Sequence, residues 1–226
     1  MVDLRYIRPA DLWYTVGLIA TDGNLSSDGR HINITSKDKN LLETVRSGLH
    51  LRSKLAKKSR GREKHKKYSM LQFSDVEFYR YLLSIGLKPK KSLTLEKIRV
   101  PHKYFIDFIR GIIDGDGTIS TWKHRTNSYT QWSLRIFSGS PIFSGWLKNN
   151  IETYFRVNGR IYTLDKPGKN KLYTIKFGKL AAKEILKKCY YKNALALKRK
   201  NFKALKCLAT ENGLSKYGDV ISLMLG

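Results

Sequence analysis

The sequence predicts an α+β protein made of two pseudo-symmetric halves. Three observations carry that prediction. First, a nine-residue pattern occurs twice. Thr15–Gly23 reads Thr-Val-Gly-Leu-Ile-Ala-Thr-Asp-Gly, and Ile109–Gly117 reads Ile-Arg-Gly-Ile-Ile-Asp-Gly-Asp-Gly, 94 residues later. Second, the same order of elements follows each copy. Third, apolar residues recur every second position in some of those elements and every third or fourth in others, so strands and helices mix within each half.

Each repeated pattern ends an apolar helix. Asp11 is the expected N-cap of the first helix, Pro101 fits the first turn of the second, and Gly23 and Gly117 supply the stops. After the first copy, 31–35 alternates as a strand and 41–49 carries Leu41, Leu42, Val45 and Leu49 on one helical face. Residues 52–58 and 68–73 read as paired strands and 76–85 as a helix. After the second copy the counterparts are a strand at 131–137, a helix at 142–154, strands at 160–164 and 171–177, and a closing helix at 180–190. The reading leaves room for one further strand after Gly23 and after Gly117. Matching exits begin at Lys91 and Lys192, and Pro89–Pro101 reads as a linker. The halves are therefore set at 1–98 and 99–213, with an unassigned tail at 214–226.

Composition narrows the function. Among 226 residues, 44 Lys and Arg oppose 18 Asp and Glu, a net charge of +26. Apolar residues make up 41%, so a folded core accompanies that charge, and the expected partner is a polyanion. The charge is spread along the chain instead of being gathered on one amphipathic helix, which favours nucleic acid over a membrane surface. The apolar run from Leu12 to Ala20 is too short to span a bilayer, and the first residues do not build a signal peptide. Two cysteines, Cys189 and Cys207, cannot make a disulfide framework or a four-ligand zinc site, and read as reduced thiols of an intracellular protein. The five histidines show no ligand spacing, and no P-loop is present.

The motif helices carry the chemistry. Gly17 and Thr21 are spaced four apart, as are Gly111 and Gly115, giving each helix a stripe of small residues that permits close backbone packing. Paired along those stripes, the helices bring Asp22 and Asp116 to one end. Two carboxylates at helix C-termini are disfavoured by both dipoles and by each other. A divalent cation repays that arrangement, and Mg²⁺ needs only a few carboxylates beside substrate phosphates. Acids beside phosphate in a strongly basic protein point to metal-assisted phosphodiester hydrolysis.

The two motif segments resemble the paired motifs of the LAGLIDADG homing endonucleases. Asp114-Gly115-Asp116-Gly117 is close to the family pattern, whereas the first copy departs from it with Ala20 and Thr21 before Asp22-Gly23. The resemblance spans about residues 10–200. It implies two αββαββα halves, each with a concave antiparallel sheet, which together form a saddle over double-stranded DNA. It also implies a monomer without a protein or membrane partner. Asp22 and Asp116 take the metal-ligand role, with backbone carbonyls near Ala20, Thr21 and Gly115 as lesser candidates. The metal is Mg²⁺, with Mn²⁺ or Ca²⁺ as alternatives. Lys91 and Lys192 are the candidate cations beside the scissile phosphates. Asp114 reads as a structural or solvated neighbour, since Ala20 stands at its place in the first copy. The implied activity is double-strand cleavage of a long site leaving short 3′ overhangs, in the mobility of an intron, intein or free-standing gene. An organelle and a bacterial or archaeal cytoplasm fit equally. The rival is a non-cleaving member of the same scaffold, an RNA-binding intron maturase or a DNA-binding protein.

Strand alternation sorts the DNA-facing residues. In the first half these are His31, Asn33, Thr35 and Gln72, with Asn24, Lys54 and Lys57 beside them. The basic turn from Lys57 to Lys67, which includes Lys58, Arg60 and Arg62, is expected to grip the backbone. In the second half they are Gln131, Ser133, Arg135 and Lys176, with Trp132, Leu134 and Ile136 facing inward. Ser120, Arg160, Tyr162, Lys166 and Lys171 complete the set, and the loop from Trp122 to Tyr129, with Lys123 and Arg125, is expected near the DNA as well.

Overall fold

The computed structural model describes residues 2, 4–59, 67–165 and 167–210. Arg60, Arg62, Lys166 and the tail at 214–226 lie outside the described residues. The chain divides into two units, Met1–Asp116 and Gly117–Gly226. This division falls later than the repeat boundary at 98/99, because the second motif helix packs against the first and joins its unit.

The first unit opens with α1 (Pro9–Thr21), followed by β1 (Gly23–Leu25), β2 (His31–Ser36), α2 (Lys39–Gly48), β3 (Leu55–Lys58), β4 (Tyr68–Ser74) and α3 (Val76–Ser84). A 3₁₀ turn (His102–Tyr104) then leads into α4 (Phe105–Asp116). Its four antiparallel strands lie in the order β1-β2-β4-β3. Ile32, Ile34, Leu71 and Phe73 alternate onto one face and are buried with Leu41, Leu42 and Val45 of α2 and with Phe78 and Leu82 of α3. Asp38 and Asp75 cap α2 and α3 by accepting from the backbone N–H groups of Leu41 and Phe78.

The second unit repeats the plan. Its elements are β5 (Gly117–Lys123), β6 (Thr130–Ser138), α5 (Pro141–Phe155), β7 (Gly159–Leu164), β8 (Leu172–Phe177), α6 (Lys179–Cys189) and α7 (Lys198–Ala209). The strand order is β5-β6-β8-β7, the first unit's order again. Leu134, Ile136, Ile175 and Phe177 are buried with Phe143, Leu147 and Ile151 of α5 and with Ile185 and Leu186 of α6. Ser140 caps α5 by accepting from the Phe143 N–H. Among the described residues, no helix is long and apolar enough to cross a membrane.

The expected elements are all present, with ends shifted by up to three residues, and three details differ. α1 begins at Pro9, with Arg8 as the N-cap residue, so Asp11 lies inside the first turn and holds the Arg8 guanidinium at 2.7 Å. Pro101 precedes a 3₁₀ turn and does not open the helix itself. Gly23 and Gly117 have no positive φ and serve as first residues of strands, not as left-handed stops. Gly23 is required for another reason: a Cβ there would lie 2.5 Å from the Ile19 Cα. The further strands that the sequence left room for are β1 and β5. α7 was not expected.

Candidate functional site

The site in the first unit is built on the α1–α4 pair. The helices run side by side with their backbones nearly touching. A Cβ built on Gly17 would lie 2.3 Å from the Phe108 carbonyl oxygen and 2.9 Å from the Gly111 Cα and the Ile112 N. One built on Gly111 would lie 2.1 Å from the Tyr14 oxygen and 3.0 Å from the Gly17 Cα and the Leu18 N. Each neighbour in one set is the 94-residue counterpart of a neighbour in the other, so the contact is reciprocal in the manner of a two-fold interface. One turn further along, Thr21 meets Gly115. The packing role expected of Gly17, Thr21, Gly111 and Gly115 follows from these contacts.

The parallel pairing carries Asp22 and Asp116 to the same end. Asp22 is the C-cap residue of α1 and is exposed, while Asp116 ends α4 and is half-buried. Between the first unit's closing helix and its linker, the chain turns through Lys90, which has a left-handed backbone (φ 51), and buries Lys91. The Lys91 Nζ donates to the Gly23 carbonyl oxygen. Burial pushes this ammonium down to about 8, while the carboxylates of Asp116 and Asp22 pull it back up. Both acids therefore act on one lysine. An open pocket beside them is lined by Asp22, Asn24, Asn33, Thr35, Lys58 and Lys91, all of them singled out in the sequence.

The donors at this end are oxygens only: two carboxylates and the carbonyls of a last helical turn, including those of Ala20 and Thr21, which lack intrahelical donors. This hard donor set is of the kind that could hold Mg²⁺ with several waters retained. Among the described residues, no group of three or more His, Cys, Asp or Glu side chains converges.

The exits of the two halves do not superpose as their sequences propose. The left-handed residue is Lys90 in one exit and Asn193 in the other, where Ala194 N–H donates back to the Tyr191 oxygen. Matched on that residue, Lys91 corresponds to Ala194, and Lys192 to Pro89. Lys192 is exposed.

The register sorts the sheet candidates. Asn24, Asn33 and Gln72 form one row across β1, β2 and β4. The equivalent row in the second unit is Thr118, Arg135, Lys176 and Arg160 across all four strands. Lys176 also stands 6.0 Å from the centre of the Tyr162 ring, and both line a shallow pocket with Arg160.

Register and side-chain partners place the other candidates. Lys57 pairs with buried Ser69 and so points to the helix-packed face, and Lys58, opposite Tyr68, takes the outward position. Lys123 pairs with Thr130, on the face of Trp132, and its Nζ bonds the Thr130 hydroxyl at 3.1 Å, whereas Trp122 is the outward neighbour of Gln131. Ser133 occupies an outward register, opposite Ser120, but is wholly buried. The His31 ring is tied to the Asp28 carboxylate, which is held well below the usual carboxylate range by that bond. Lys171 pairs with Asp165 at 3.0 Å. Ser120 remains half-buried on the outward face, and Lys54 and Arg125 are exposed.

Sequence reasoning missed Thr118, and it singled out Lys58 and Trp122 only as members of a basic turn and of a loop near DNA, without a strand face. It also missed a buried polar cluster on α1 and α4. There Tyr14 donates to Asp114 at 2.8 Å, and Arg110 pairs with Asp107 at 2.9 Å. Asp114 is 2% exposed, so of its two expected readings the structural one applies. The only sequence signal for this cluster is a set of polar residues within apolar helices.

A family model described as a LAGLIDADG-like domain matches residues 11–86. No curated protein matches the chain in sequence. Solved structures match almost end to end at low identity. The LAGLIDADG homing endonuclease I-GzeII, in complex with its DNA target, has a TM-score of 0.58 at 13% identity over 97% of this chain and 96% of its own. The homing endonuclease I-WcaI, bound to its DNA recognition sequence, has a TM-score of 0.59 at 15% identity over 88% of this chain and 87% of its own. Full-length DUF199/WhiA from Thermatoga maritima has a TM-score of 0.53 at 14% identity over 96% of this chain, which spans 65% of WhiA. The chain has the LAGLIDADG endonuclease fold: two halves, each with a four-stranded antiparallel sheet and helices.

Proposed function

We propose that this protein is a site-specific, metal-dependent endonuclease acting on double-stranded DNA as a monomer. The observation that carries the reading is the meeting of Asp22, Asp116 and buried Lys91 at one end of the reciprocal helix pair. In this reading Asp22 and Asp116 hold Mg²⁺, with Mn²⁺ or Ca²⁺ as substitutes. An ion held there would supply polarisation of a phosphodiester and a lowered pKa for its bound water. Lys91, kept out of bulk water, offers a cation to the charge that develops on phosphate. The row Arg135, Lys176 and Arg160 binds the DNA backbone or guanine edges, and Asn24, Asn33 and Gln72 offer amides to adenine. Lys192 remains a candidate second cation. The net charge supports a polyanionic partner, and the likeness to the DNA-bound homing endonucleases I-GzeII and I-WcaI supports duplex DNA as that partner.

A second reading is a binder without cleavage, of DNA or of intron RNA. It is favoured by the match to WhiA and by the finding that, among the described residues, no third His, Cys, Asp or Glu joins the two carboxylates. The readings separate in a cleavage assay on target duplex with Mg²⁺ or chelator. The endonuclease cuts only with metal, and Asp22→Asn or Asp116→Asn binds without cutting. Equal, uncut binding in every arm supports the second reading.

A further inference from the structure

The α1–α4 backbones obey the pseudo-two-fold relation, but the side chains around them break it. The Tyr14 hydroxyl donates from α1 to the Asp114 carboxylate of α4, and both are buried. Arg110, with no exposed surface, lies 5.2 Å from the Tyr14 ring centre and pairs with Asp107 on its own helix. Each polar member has an apolar counterpart 94 residues away: Phe108 for Tyr14, Ala20 for Asp114, Val16 for Arg110 and Trp13 for Asp107. Thr21 adds a steric asymmetry, since it fills the space facing Gly115. A Cβ on Gly115 would lie 1.9 Å from the Thr21 Oγ1.

Backbone packing alone does not choose a partner. Because the glycine contacts are reciprocal, α1 could approach a second copy's α1 as closely as it approaches α4. We propose that the Tyr14–Asp114 bond, with Thr21 against Gly115, selects unlike pairing, joining α1 to α4 and excluding like-with-like pairs between two chains. In an α1–α1 pair, each Tyr14 hydroxyl faces the second copy's Ala20 and loses its buried acceptor. Two threonines also meet where the structure has room for one. In an α4–α4 pair, each Asp114 faces the second copy's Phe108, and two buried carboxylates lose the tyrosine donor. Each lost partner disfavours the wrong pair by about tenfold. The cluster thus disfavours a half-matched dimer by leaving buried polar groups without partners in it. It concerns assembly and does not depend on the cleavage chemistry.

The test uses the full chain, unfolded in urea and refolded over a range of concentrations. Light scattering reads the oligomeric state, and energy transfer between donor- and acceptor-labelled copies reads pairing between chains. The wild type should return as monomer. Tyr14→Phe with Asp114→Ala makes both helices apolar at these positions, and its dimer fraction should rise at least tenfold at equal concentration. Adding Phe108→Tyr and Ala20→Asp transposes the bond to the opposite diagonal and should restore the monomer. Asp114→Asn keeps an acceptor for Tyr14 and should remain monomeric even if the other variants refold poorly. A double variant that refolds as faithfully to monomer as the wild type overturns the proposal, as does an Asp114→Asn protein that dimerises.

Discussion

Adding one methyl group at the centre of the helix pair tests whether the two motif helices set the geometry of the site. In Gly17→Ala, the new Cβ lies 2.3 Å from the Phe108 oxygen and 2.9 Å from two further backbone atoms of α4. Ordinary carbon–oxygen contacts begin near about 3.3 Å, so the helices must part by roughly 1 Å. No rotamer change relieves this, because the obstructing atoms are backbone. Overpacking of a well-filled core costs about 1–3 kcal/mol, and a backbone clash on both sides belongs at or above the upper end. For a chain of this size, about 3 kcal/mol lowers Tm by roughly 6–12 °C. Gly145→Ala in α5 is the control, because a Cβ there meets nothing within 4 Å. That variant should gain up to about 1 kcal/mol from helix propensity alone. The assay is urea unfolding and thermal melting of both variants. A Gly17→Ala protein as stable as the wild type would refute the close approach of the helices and the placement of the two acids that depends on it.

Other consequences can be measured directly. Asp22→Asn and Asp116→Asn should each abolish cleavage while changing DNA affinity little; undiminished cutting removes the metal-ligand assignment. Lys91→Met should reduce cleavage sharply and alter the pH dependence of stability. Because the folded lysine titrates near 8, below its unfolded value, the folded state holds fewer protons above that pH, and wild-type stability rises with pH from about 8 toward 10.5. The difference between wild type and variant across that window should approach the order of 3 kcal/mol in urea titrations, and a constant difference would contradict the buried, desolvated lysine. Arg160→Ala should weaken binding and lower the salt slope by about one unit, read by anisotropy titrations at several salt concentrations. The wild type itself should lose about 10³–10⁵ in affinity between 50 and 200 mM salt if it neutralises about six to ten phosphates, and a flat response would contradict backbone-dominated binding.

Much of this architecture is legible in the sequence, and the failures have physical causes. β2 and β6 are read correctly because the middle of one face of each is apolar, Ile32 and Ile34 in one and Trp132, Leu134 and Ile136 in the other, so alternation fixes both strand and face. β1 spans only Gly23–Leu25, too short for any period to show. On β3 and β5 the exposed faces carry little pattern, so Lys57 reads as part of a turn and Lys123 as part of a loop, and neither receives a strand face from the sequence. Asp22 and Asp116 stand out because a repeated acid at a helix end has no structural motive. The Tyr14–Asp114 bond does not stand out, because its members lie 100 residues apart and a lone polar residue in a helix reads as solvated. α7 escapes notice because six of its residues from Lys198 to Lys206 leave a thin apolar stripe around Ala204 and Cys207. The Lys91–Lys192 match fails for a similar reason: sequence aligns the lysines, whereas the backbone aligns the left-handed residues beside them.

The central claim is that two acids at the end of a reciprocal helix pair cut duplex DNA. The most direct measurement is a cleavage selection on a randomised duplex library with Mg²⁺, run in parallel with Asp116→Asn. The account predicts that the wild type alone enriches one long site cut on both strands, while the variant retains the same site uncut. Retention of DNA without cutting in both arms would contradict it.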